Sequence, residues 1–164
     1  MKPELTEEKV IAIMDGYGRS SQQLIAILLD IQEASGQNYI DETWAALAAQ
    51  VLGVPLAKIY EIITFYSMFS TSPRGRHIVE VCRSAPCEFK GAALLLGNLE
   101  ELLGIKVGET SQDGLFTLKT GECCGACDKS SIFKIDEDEY GAADFDQKSL
   151  AGLFNSKRQE SEAL

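Results

Sequence analysis

Apolar residues recur at three- and four-residue intervals through residues 1–72, then shift to short alternating runs, so the chain reads as a helical region followed by a region of mixed strand and helix over residues 73–164. Val10, Ile13 and Met14 share one helical face. Leu24, Ile27, Leu28 and Ile31 repeat that period in a second segment that ends before Gly36. Asp41 suits the N-cap of a third helix, with Trp44, Leu47, Ala48 and Val51 as its buried stripe and Gly53 as its stop. Pro55 fits the first turn of a fourth, which carries Leu56, Ile59, Tyr60 and Ile63 and runs into Thr64-Phe65-Tyr66-Ser67. Those aromatics are expected to pack into the bundle rather than to dock on a neighbour.

The period changes after Ser70-Thr71-Ser72-Pro73-Arg74-Gly75. Ile78-Val79-Glu80-Val81 reads as a strand that delivers Cys82 at its end, and Leu115-Phe116-Thr117-Leu118 as another that delivers Cys123. Between them, Gly91 to Leu103 is a Leu-rich helix. Ile132 to Ile135 and the segment around Tyr140-Gly141 suggest a closing hairpin, and Phe145 to Phe154 a short final helix. The polar tail from Ser156 is expected to fray. The run Asp136-Glu137-Asp138-Glu139 reads as a solvated turn.

Charge narrows the partners. With 15 Lys and Arg against 25 Asp and Glu, the net charge is −10, which disfavours nucleic acid and anionic membrane surfaces, since both require clustered cations. Glu4, Glu7 and Glu8 stand where a signal peptide would carry positive charge, and the longest apolar run, Leu24 to Leu29, is far below the roughly 20 residues that span a bilayer. A cytoplasmic protein without direct membrane insertion is expected. In such a reducing compartment five cysteines serve as ligands or redox groups more readily than as structural disulfides.

Chemistry is confined to sulfur. Cys82-x4-Cys87 and Cys123-x3-Cys127 place two thiol pairs on two separated loops, whereas there is one histidine and no glycine-rich phosphate or dinucleotide loop. Four thiolates complete a [2Fe–2S] or [4Fe–4S] unit, and a two-plus-two layout differs from the plant-type ferredoxin order. A structural zinc site has the same ligand count and remains open on spacing alone. A thioredoxin-type redox pair at Cys124-x2-Cys127 would leave Cys82 and Cys87 without a role. The pattern does not choose between Cys123 and Cys124. His77 reads as a strand-entry residue, and a single histidine excludes a Rieske-type centre.

These segments resemble the thioredoxin-like [2Fe–2S] ferredoxin subunits of NADH dehydrogenase modules. The family pattern of C-x4-C on one loop and C-L-G-x-C on the next is matched by Cys82-Arg83-Ser84-Ala85-Pro86-Cys87 and Cys123-Cys124-Gly125-Ala126-Cys127, and Val54-Pro55-Leu56 through Thr64-Phe65-Tyr66-Ser67 is similar to the family's N-terminal part. The resemblance implies an α/β (α+β) chain in which an N-terminal helical bundle precedes a thioredoxin-like [2Fe–2S] domain. It implies Cys82, Cys87, Cys123 and Cys127 as the iron ligands, with Cys124 standing where leucine is usual. It further implies an electron-transfer subunit with no complete active site of its own, beside a partner subunit that carries FMN and binds NAD(P), with further iron–sulfur subunits in the same complex. Complex I, soluble NAD(P)-linked hydrogenases, formate dehydrogenases and electron-bifurcating complexes all use such subunits. A free-standing ferredoxin shuttle, which has little use for the helical region, and a zinc-stabilised interaction module are the alternatives.

Overall fold

The computed structural model describes residues 5–129 and 131–162; Glu4 and the last two residues of the polar tail lie outside them. The chain divides into two compact units, Met1–Arg74 and Gly75–Leu164.

The first unit holds α1 (Glu7–Gly16), α2 (Leu24–Ala34), α3 (Glu42–Leu52) and α4 (Leu56–Phe65). Their ends follow local chemistry. Thr6 caps α1 by accepting the Lys9 N–H, and the Asp41 carboxylate caps α3 by accepting the Thr43 N–H at 2.8 Å. Gly53 ends α3 in the left-handed region at φ +64°, a conformation that costs glycine little. The core is built from Val10, Met14, Leu24, Ile27, Leu28, Ile31, Ile40, Ile59, Ile63 and Phe69. Gln32 is buried among them and clamps the end of the unit. Its side chain donates to the Met68 carbonyl at 3.0 Å and accepts from the Ser70 N–H at 2.9 Å.

Two expectations for this unit need correction. The buried face of α3 is Ala45, Ala48, Ala49 and Leu52, while Trp44, Leu47 and Val51 pack half-buried along its flank, because small side chains occupy the close approach between helices. Phe65 and Tyr66 are not core. Ile59 and Ile63, one turn apart, turn inward and leave Phe65 at 77% exposure, where it meets Tyr66 edge-to-face at 5.1 Å. Phe69 is the aromatic that enters the core.

The second unit contains β1 (His77–Cys82), α5 (Ala85–Phe89), α6 (Ala92–Leu103), β2 (Phe116–Gly121), β3 (Ile132–Ile135), β4 (Asp138–Gly141) and α7 (Gln147–Glu162). The sheet order is β2-β1-β3-β4, with β1 and β2 parallel and the other neighbours antiparallel. A parallel pair needs a crossover, and α6 lies within it. Val79, Val81, Phe116, Leu118, Phe133 and Ile135 line one sheet face and are sealed by Leu95, Leu99 and Leu103 of α6 and Leu150 and Phe154 of α7. The opposite face carries Glu80, Cys82, Lys119 and Lys134.

Asp136 and Glu137 make the exposed two-residue turn between β3 and β4, while Asp138 and Glu139 already belong to β4. Asp136 sits at φ +56°, which aspartate tolerates better than most residues, and its carboxylate accepts the Ile78 N–H at 2.8 Å. The polar segment after Ser156 is helical rather than frayed. Lys157 reaches Asp138 at 3.1 Å, Arg158 reaches Asp113 at 3.1 Å and lies over the Phe116 ring, and the Ser161 carbonyl accepts from Arg76 at 2.8 Å.

Two substitutions test this packing. A Cβ on Gly75 would stand 2.6 Å from the Phe116 backbone carbon, so Gly75→Ala should cost roughly 1–3 kcal/mol in urea unfolding. Asp41→Ala should cost about 1 kcal/mol through the lost cap. The Thr43 interactions hold the Asp41 carboxyl below its ordinary range. The unfolded chain therefore binds more protons there, and the difference between the two proteins should shrink as pH falls through that folded value and stay constant near neutrality.

Candidate metal centre

Two loops leave the same end of the parallel pair. β1 and β2 run in step from His77 opposite Phe116 to Cys82 opposite Gly121, so the segments that follow each strand start side by side. The first carries Cys82 and Cys87, the second Cys123, Cys124 and Cys127.

The first loop is tightly held. Ser84 and Pro86 start α5, whose opening turn bonds Cys87 N–H and Glu88 N–H to the Ser84 carbonyl, each at 3.0 Å. Arg83 grips Glu88 with two guanidinium nitrogens, Nε at 2.8 Å, a fork that closes the loop across its mouth. From β3's side, the buried Ser131 hydroxyl lies 3.0 Å from the Cys87 carbonyl and 3.1 Å from that of Lys90. Cys82 and Cys87 are buried in a small apolar group with Ala92 and Ile132. Burial and then the neighbouring Cys82 push the Cys87 thiol up, while the Ile132 N–H pulls the other way.

The second loop is more open. Cys123 and Cys127 face each other with sulfurs 3.4 Å apart, and the Gly125 N–H points at the Cys123 sulfur at 3.4 Å. That N–H, with Cys127 second, holds the Cys123 thiol below its ordinary range; Cys127 is pushed up by its contact with Cys123. Gly125 adopts φ +93°, which the wrap of backbone around sulfur requires and a side chain would resist. Cys124 is half-buried, packs with Ala126 against the group around Cys82 and Cys87, and borders the same depression as Cys123. Among the described residues, no three His, Cys, Asp or Glu side chains are grouped so that they could hold one metal ion. The thiols pair within each loop and also meet across the loops, where Cys82 interacts with Cys123.

A depression of about 190 Å³ opens between the loops and the sheet, lined by Glu80, Cys82, Glu122, Cys123, Cys124, Ile132 and Lys134. His77 lies at the far end of β1, about 16 Å from Cys82 at 3.3 Å per residue. It serves the strand's entry: Nδ1 is 2.6 Å from Asp136, Nε2 is 2.8 Å from Ser161, and the ring stacks on Phe116.

Sequence reasoning missed the Arg83–Glu88 fork and Ser131. The fork had a signal, since serine followed by a proline within a few residues marks a helix start and would have placed α5. Ser131 had none, because its partners are 44 and 41 residues away.

The family model for the thioredoxin-like [2Fe-2S] ferredoxin matches residues 10–155. A subunit of the NADH-quinone oxidoreductase of Aquifex aeolicus (strain VF5) is 32% identical over 138 residues, 84% of this chain and 85% of that protein. Its counterpart in Rickettsia conorii (strain ATCC VR-613 / Malish 7) is 32% identical over 81% of this chain and 78% of its own length. An NADH-quinone oxidoreductase subunit of Rhizobium meliloti (strain 1021) is 44% identical over 58% of this chain, which spans only 57% of that relative. The crystal structure of an NAD+-reducing [NiFe]-hydrogenase in the air-oxidized state contains a similar fold, with a TM-score of 0.70, at 17% identity over 87% of this chain and 24% of the hydrogenase chain. The thioredoxin-like α/β fold expected from sequence therefore stands.

Removing the Ser131 hydroxyl should loosen the first loop. Ser131→Ala removes the single O–H that the Cys87 and Lys90 carbonyls share at a site only 3% exposed, and should cost about 1–3 kcal/mol in thermal or urea unfolding. A loss of a few tenths would show that the hydroxyl does not hold the loop.

Proposed function

The chain belongs to the thioredoxin-like [2Fe–2S] ferredoxin family, and on that premise we propose that Cys82, Cys87, Cys123 and Cys127 hold one [2Fe–2S] cluster in an electron-transfer subunit of an NADH-oxidising complex. The observation that carries this reading is the pairing of thiols. Cys123 and Cys127 meet at 3.4 Å on one loop, and Cys82 and Cys87 interact on the other, two sulfurs for each of two irons.

The donor set fits the group. It is all sulfur, which suits iron–sulfur chemistry, and backbone N–H groups of Gly125 and Ile132 aim at ligand sulfurs, where they offset negative charge. When bound, the cluster supplies a one-electron site. The chain's own residues bury one pair and leave the other more open, with Cys123 exposed and Cys127 half-buried. Cys82 and Cys87 anchor the centre in the apolar group with Ala92 and Ile132, while the open Cys123–Cys127 loop presents it to a neighbour. Cys124, turned toward the apolar group, is a packing residue in this reading and not a ligand.

The flavin and the nicotinamide site belong to a partner subunit, since this chain has no dinucleotide loop. Phe89, 92% exposed and two residues beyond Cys87, and Phe65 in the first unit offer apolar contacts of the kind a subunit interface covers. Relatives named for NADH and quinone favour a complex I type of assembly over a hydrogenase. A cytoplasmic location suits this arm, and no helix among the described residues is long and apolar enough to cross a membrane.

Purified full-length chain should carry about two irons and two inorganic sulfides and be brown. Serine at position 82, 87, 123 or 127 should remove the cluster, whereas Cys124→Ser should spare it; stoichiometric zinc without sulfide would sink the assignment. Affinity isolation from its native cells should bring down a flavin-containing NAD(P)H-oxidising subunit. Recovery only as a single chain would point to the shuttle alternative.

A further inference from the structure

A row of alternating charge crosses the sheet one step from the thiols. The strand registers pair Lys119 of β2 with Glu80 of β1, Glu80 with Lys134 of β3, and Lys134 with Glu139 of β4, so the order across four strands is plus, minus, plus, minus. Glu80 and Cys82 are two apart on β1 and so share this face. The next row holds Cys82 opposite Gly121. Glu80 and Lys134 border the same depression as Cys82, Cys123 and Cys124.

The four charges are not equivalent. Lys119 and Glu80 form an ion pair at 2.7 Å, with side chains only 27% and 30% exposed, and largely cancel at a distance. The Glu80 carboxylate lies across Gly121, where a Cβ would overlap Oε1; glycine there makes room for it. Lys134 is half-buried and has no carboxylate within 4.0 Å among the described residues. Glu122, the other charge on the rim, is exposed to solvent and more strongly screened. Glu139, opposite Lys134 on β4, is likewise exposed and does not line the depression, so Lys134 is the one cation among the residues that line it.

Resting on the ligand assignment above, we propose that Lys134 is a potential-setting residue: its positive charge on the rim of the depression favours the added electron at the thiol site, while Glu80 is engaged by Lys119. The sign follows from charge alone. A four-thiolate [2Fe–2S] centre goes from about −2 to about −3 on reduction, so a nearby cation stabilises the reduced form more than the oxidised one. No proton or further reactant enters this balance.

The test is a redox titration of the loaded full-length chain, followed by visible absorbance and electron paramagnetic resonance. Lys134→Gln should move the midpoint to a more negative value, Lys134→Arg should leave it near wild type, and Glu80→Gln should move it the opposite way. The gap between wild type and Lys134→Gln should largely persist in high salt, because a half-buried charge is screened much less than an exposed one. Iron and sulfide content is measured on every sample. Wild type, Lys134→Gln and Glu80→Gln with equal cluster content and coincident midpoints would overturn the role of Lys134 and leave the cluster in place. Equal shifts for the arginine and glutamine variants would also overturn it, since packing rather than charge would then be at work. A wild-type chain without iron and sulfide would remove the premise together with the inference.

Discussion

The parallel alignment of β1 with β2 is the constraint on which the site depends, because it brings Cys82 level with Gly121 and makes both thiol loops leave one end of the sheet. An antiparallel pairing would send the two loops to opposite ends. The crossover through α6 makes the parallel pairing possible, and the packing of Leu95, Leu99 and Leu103 on Val79, Val81, Phe116 and Leu118 holds the strands in register. A one-residue slip would turn Cys82 toward the hydrophobic core and Val81 toward the thiols. Burial of one sheet face thus positions the chemistry on the other.

With the strands aligned, local contacts shape the two loops differently. The Arg83–Glu88 fork, the α5 turn and Ser131 restrain the first, so Cys82 and Cys87 are buried and offer a fixed pair of sulfurs. The second depends on Gly125 at positive φ and stays open to solvent. A site with one buried and one more open thiol pair can be anchored by its own chain and approached by another. The charge row beneath it extends the same division of labour, with one face of β1 contributing Val79 and Val81 to the core while the other contributes Glu80 and Cys82 to the site.

Much of this was legible along the chain where local pattern decides the outcome. The Leu24, Ile27, Leu28, Ile31 stripe, the glycine stop at Gly53, and the alternation that delivers Cys82 at the end of β1 are all visible in short windows of sequence. Features set by distant partners were not. The helix beyond Ser156 is polar, and its order comes from Asp113, Asp138 and Arg76, none of them near it in sequence. Phe65 carries an apolar side chain but falls off the face defined by Ile59 and Ile63, which only the bundle geometry reveals. The adjacent Cys123 and Cys124 have the same chemistry; only the fold shows the Gly125 N–H on the Cys123 sulfur and Cys124 packed against the group around Ile132.

Iron K-edge absorption on the purified full-length chain tests the central claim most directly, because it reports which atoms surround each iron without depending on the partner subunit. Two thiol pairs holding one [2Fe–2S] cluster predict four sulfur neighbours at each iron and a single second iron beyond them. Nitrogen or oxygen in the first shell, or iron with no iron neighbour, would contradict the account.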